Sequence, residues 1–95
     1  MKEIVTPKGI LKYRMPNILE AYDIIDASGI YTEGCSLLKL KRNIIQAMEP
    51  VIDYSSIEGV SSYPELLMDL DNIMPLTEVS GEILDKVLEI LKKKN

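Results

Sequence analysis

Between Ser36 and Glu49 the chain reads SLLKLKRNIIQAME, a run with neither Gly nor Pro. At helical spacing, Leu37, Leu38, Leu40, Ile44, Ile45, Ala47 and Met48 gather into one arc covering about half the circumference. Lys39, Arg42, Asn43, Gln46 and Glu49 fill the other half. An arc this wide suits a helix with neighbours on more than one side, so the rest of the chain is expected to fold around it. Lys41 alone interrupts the arc, between Met48 and Ile45. Its stem can lie over Leu37 and Ile45 with the ammonium in water. The other reading is a pairing with a carboxylate, such as Glu20 or Asp26, or with an acidic partner chain.

On the N-terminal side, Glu3-Ile4-Val5 and Ile10–Arg14 flank Thr6-Pro7-Lys8-Gly9. β-Branched and aromatic flanks around a Pro and Gly turn predict a hairpin, with strands near 2–5 and 10–14. Two strands alone are marginal in water, so the hairpin must pack on helices or pair with another chain. Pro16 suits a first helical turn and Gly29 a C-terminal stop. The helix between them is expected to bury Ile18, Ala21, Tyr22 and Ile25, with Ile24 on the opposite, exposed face. Ser36 can cap the next helix and Pro50 ends or kinks it, with another helical turn possible over 51–54. Ser62-Tyr63-Pro64-Glu65 fits a capping box opening a short helix. That helix is expected to bury Leu66, Leu67, Leu70, Ile73 and Met74, to leave Met68 outside, and to close at Pro75. Ser80 then caps an amphipathic last helix.

The predicted fold is mainly α: an N-terminal β-hairpin over 1–15, then a small bundle of about four helices, near 16–28, 36–49, 63–73 and 80–93. Its 95 residues make one domain. Phe and Trp are absent and all five aromatics are Tyr, so the core must be built from Leu, Ile, Val and Met.

Catalysis finds little to work with. There is no His, and Cys35 is the single thiol, without a base to activate it or a second thiol to pair with. The carboxylates Asp23/Asp26, Glu78/Glu82 and Asp69/Asp71 read as solvated helix faces. Asp69-Leu70-Asp71-Asn72 resembles a fragment of a calcium loop but lacks its Gly at position six and its Glu at position twelve. Neither phosphate-loop nor dinucleotide fingerprints are present. No catalytic residue, metal or cofactor is therefore expected. An enzyme would need a carboxylate site that the sequence does not single out.

The net charge of −4 argues against nucleic acid. Residues 1–15 contain no apolar secretion core, and no run is long enough to span a membrane. A cytoplasmic protein that binds another protein is the expectation. Met15, Met48, Met68 and Met74 supply adaptable apolar surface, and Tyr is common at interfaces. Tyr13, Ile24, Lys41 and Met68 are the candidate partner-binding residues, and self-association is a further option.

The segment GILKYRMPNILEAYDIIDASG, a strand feeding Arg14, a Pro-led helix with Glu20 and Tyr22, and the stop at Gly29, resembles the start of the small tail assembly chaperones of long-tailed bacteriophages. SYPELL and the amphipathic C-terminal helix are compatible with that family. The resemblance implies a mainly helical, non-catalytic domain in the host cytoplasm. Its partner would be the tape measure protein, and sometimes the tube subunit, during tail polymerisation. Such chaperones are often made in a short form and a frameshifted longer form. No residue-level role carries over. The alternative is a small acidic regulatory or inhibitory protein that masks a basic surface of a host protein.

Overall fold

In the computed structural model, which describes residues 1–93, the hairpin forms as its sequence predicts. Strands β1 (Lys2–Thr6) and β2 (Gly9–Tyr13) pair antiparallel, with Lys2 opposite Tyr13 and Thr6 opposite Gly9. Thr6 Oγ1 donates to the Gly9 carbonyl at 2.8 Å across the turn. Gly9 is demanded by its surroundings. Its φ is +146°, and an added Cβ would lie 2.1 Å from the Ser56 carbonyl oxygen. The Glu58 N–H donates to the Lys8 carbonyl at 3.0 Å, so the loop after residue 53 is clamped onto the hairpin turn.

The remaining order is α1 (Ile18–Ser28), α2 (Leu37–Ala47), a 3₁₀ turn (Glu49–Val51), β3 (Ile52–Asp53), α3 (Tyr63–Met68), a 3₁₀ turn (Leu70–Asn72) and α4 (Ile73–Lys93). Strand β3 replaces the helical turn expected over 51–54. It pairs antiparallel with β2, Ile52 opposite Tyr13, and makes a three-stranded sheet in the order β1-β2-β3. Pro50 sits inside the 3₁₀ turn that redirects the chain, and the Arg14 N–H extends the ladder to the Val51 carbonyl at 3.0 Å.

Asn17, not Pro16, caps α1. Its side chain accepts the Glu20 N–H at 2.8 Å, and the Glu20 carboxylate accepts the Asn17 N–H at 3.0 Å. The buried stripe of α1 is Ala21, Ile24, Ile25 and Ser28, whereas Ile18 and Tyr22 are exposed. The predicted face was therefore one step out of phase. Two large side chains at 18 and 22 favoured one stripe, but Ser28 can be buried because its hydroxyl donates to the Ile25 carbonyl at 2.6 Å.

Helix α4 corrects two further expectations. It begins at Ile73 and runs straight past Pro75, which lies in the first turn, where a backbone N–H has no acceptor within the helix. Ser80 is not a cap. It is buried inside α4, and its hydroxyl donates to the Thr77 carbonyl at 2.8 Å. Leu76, Val79, Ile83 and Val87 of α4 are at most 2% exposed. Both α1 and α2 pack on this helix and on each other. The organising element is therefore α4. Of the broad arc on α2 only Ile44 and Met48 are buried, while Leu37 and Leu38 are 65% and 80% exposed. With α1 on one side of α2 and α4 on another, the arc has a third side that no described residue covers.

Candidate functional site

Ending α3 at Met68 rather than near 73 changes which apolar residues face water. Ser62 caps α3 by accepting the Glu65 N–H at 3.4 Å, and Pro64 lies in the first turn. Asp69 then caps the 3₁₀ turn through the Asp71 N–H at 3.0 Å. Asn72 closes the corner, donating from Nδ2 to the Leu66 carbonyl at 3.1 Å. This corner turns Leu66 inward and swings its neighbours out. Met68, Leu70 and Met74 are 82%, 79% and 72% exposed, and Ile73 is exposed as well. Met68 is outside, as predicted, whereas Leu70, Ile73 and Met74 leave the buried face assigned to them.

Of these, Ile73 and Met68 each line one of two adjoining hollows between α2, α3 and the start of α4. One, of about 320 Å³, is lined by Arg42, Ile45, Gln46, Leu67, Ile73 and Leu76. The other, of about 380 Å³, is lined by Gln46, Glu49, Tyr63, Pro64, Leu67 and Met68. Gln46 and Leu67 belong to both. Tyr63 anchors the floor: its hydroxyl donates to the Ile45 carbonyl, tying α3 to α2, and its burial pushes the phenol pKa up. Tyr54 packs a tilted ring on Tyr63 at a centroid distance of 6.1 Å. The floor is thus fixed, while Met68 on the rim has an adaptable unbranched side chain, a combination suited to an apolar guest.

The structure does not bring the four candidate residues together. Tyr13 is buried and is a structural tie, its hydroxyl donating to Glu82 Oε2 at 2.5 Å. That bond, with burial, pushes its pKa up to about 12. Lys2 donates to the other Glu82 oxygen, and the two contacts hold the Glu82 carboxyl below its usual range. Ile24 is 2% exposed, so it belongs to the core and not to a surface. Lys41 is exposed and lines a separate hollow between α2 and α4 with Leu37, Leu40, Thr77, Gly81 and Leu84. It joins none of the four ion pairs among the described residues, and Glu20 is held instead by Arg14. Only Met68 lies on the α3 hollows.

No family model, curated protein or solved structure matches this chain.

The other polar clusters hold the fold together. Arg14 donates to both Glu20 oxygens at 2.7 Å and to the Pro50 carbonyl at 3.2 Å, linking β2, α1 and the turn after α2. The guanidinium, then the Asn17 N–H, lowers the Glu20 pKa to about 2. Lys8 donates to Asp69 at 2.5 Å and ties the hairpin to the corner after α3. Cys35 is half-buried beside a hollow of about 150 Å³ in the loop before α2, with Sγ 3.6 Å from the Ser36 carbonyl. Among the described residues no three His, Cys, Asp or Glu side chains gather to hold a metal, and no helix is long and apolar enough to cross a membrane.

Proposed function

We propose that the protein is a non-catalytic binding protein that shelters an apolar helical segment of a partner, as an assembly chaperone does. The observation that carries this reading is the uncovered apolar surface at the α2–α3–α4 corner. There the adaptable Met68 stands beside a floor braced by Tyr63 and Leu76. A helix laid in such a groove buries its apolar stripe and leaves its polar face in water. The apolar lining of this corner favours a hydrophobic guest over a charge-masking decoy. Within this class, a tail assembly chaperone acting on a tape measure protein is the specific form we favour, on the strength of the N-terminal pattern and the mainly helical fold.

The test is affinity capture from the native source with the wild-type chain and with Met68→Glu, at low and high salt. Wild type should recover a helix-rich protein at both salt concentrations, and Met68→Glu should lose it while keeping its circular dichroism. Recovery of nucleic acid or small metabolites alone, or binding that collapses steeply with salt, refutes the reading.

A further inference from the structure

We propose that a second copy of this chain docks on the open seam between α2 and α4, each α2 lying over the other copy's α4. The two helices run antiparallel along this seam. Leu37 shares a hollow with Leu84, whereas Ile45, nearer the far end of α2, shares one with Ile73 and Leu76. Helix α1 packs against both helices on one side. On the other side the described residues leave the seam uncovered, with Leu37, Leu38 and Met74 at 65%, 80% and 72% exposure.

The floor of the seam is shallow and small. Thr77, Ser80 and Gly81 line it, and a Cβ added at Gly81 would meet nothing within 4 Å. Gly in the interior of an exposed helix is unfavourable relative to Ala. A bare backbone at that point lets another helix approach closely.

The charges identify the occupant. The α2 rim of the seam carries Lys41 and Arg42, and residues 36–48 contain no acid. The α4 rim carries Glu78 and Asp85, roughly one turn either side of Gly81. All four are exposed, and none joins the ion pairs among the described residues. A uniformly acidic or basic partner would satisfy one rim and oppose the other. A second copy satisfies both. A twofold axis parallel to the seam sets cations over acids twice, and because Lys41 lies level with Thr77 and Gly81, it meets Glu78 and Asp85 of the other copy. An axis across the seam would set the cations of α2 against themselves, so the charge pattern also fixes the orientation. This interface adjoins the corner proposed above and shares Arg42 with it, but it does not require Met68, so Leu38→Glu and Gly81→Leu test it apart from Met68→Glu.

Sedimentation equilibrium of the full chain, with circular dichroism as the check on folding, decides the matter. Wild type should sediment as a dimer at micromolar concentration. Leu38→Glu and Gly81→Leu should each sediment as a folded monomer. Lys41→Glu with Arg42→Glu should weaken association by roughly tenfold or more, and adding Glu78→Lys with Asp85→Lys should restore it. A wild-type monomer at every concentration overturns the proposal, as does a dimer indifferent to Leu38→Glu. Loss on the first reversal without recovery on the second also overturns it.

Discussion

Ser80 and Gly81 offer a sharp test of the fold, because two arrangements of the same residues predict opposite outcomes. If the last helix began at Ser80, that hydroxyl would cap it and Ser80→Ala would lose about 1 kcal/mol. Gly81→Ala, at the first helical position, would then change little. In the structure both residues lie inside the continuous helix Ile73–Lys93. Gly81 is exposed with open space around its missing Cβ, so Ala gains helix propensity without a clash, about 0.8–1.0 kcal/mol. Ser80 already spends its hydroxyl on the Thr77 carbonyl at 2.8 Å. Its replacement by Ala trades that bond against a better helix former and should stay within about 0.5 kcal/mol of wild type. For a domain of this size the Gly81→Ala gain corresponds to a melting temperature higher by roughly 4–8 °C. Thermal unfolding followed by circular dichroism reads it directly, at concentrations low enough that the transition no longer shifts with dilution. A neutral Gly81→Ala together with a loss of about 1 kcal/mol for Ser80→Ala would refute the continuous helix.

Other consequences concern the core and the ionic ties. Ile24→Ala should cost about 2–5 kcal/mol in urea unfolding, since Ile24 is 2% exposed, whereas a surface isoleucine would cost under about 0.5. Glu20, with its pKa lowered from 4.5 to about 2, contributes stability that is present above pH 4.5 and is lost as the pH falls from there toward 2. Glu20→Gln should therefore lower the urea midpoint at neutral pH and converge on wild type near pH 2. Tyr13, raised from 10.0 to about 12, contributes stability below pH 10 that is lost as the pH rises through 12. An ultraviolet titration of the folded protein should show its phenolate appearing only in that upper range, and Tyr13→Phe should take one phenol out of the late absorbance change, leaving that of the buried Tyr63.

The parts of the fold that were legible in the sequence are those fixed by local chemistry. The hairpin follows from Thr6-Pro7-Lys8-Gly9 and its β-branched flanks, and the caps at Ser36 and Ser62 stand where their hydroxyls predict. The errors came where tertiary partners choose between local options. Pro75 reads equally as the end of one helix or the first turn of the next, and choosing the first hid a 21-residue helix. With Pro75 in the first turn of α4, Leu70, Ile73 and Met74 are exposed, and Ile73 among them lines the apolar corner. On α1, two adjacent stripes carry similar apolar content. Only the presence of α2 and α4 selects the one ending in Ser28, which moved Ile24 from surface to core. The width of the α2 arc predicts neighbours on several sides, whereas α1 and α4 bury only Ile44 and Met48 of it and leave Leu37 and Leu38 exposed. Strand β3, two residues long, has too little pattern to be seen before the β2 edge recruits it.

A photo-crosslinking residue placed at Met68, with Glu58 as an exposed control position, tests most directly whether the apolar corner is a docking surface. In the native cell, crosslinks from position 68 should converge on one apolar, helix-forming segment of a single protein, while position 58 yields none. Equal and scattered crosslinking from both positions would contradict the docking surface and the function built on it.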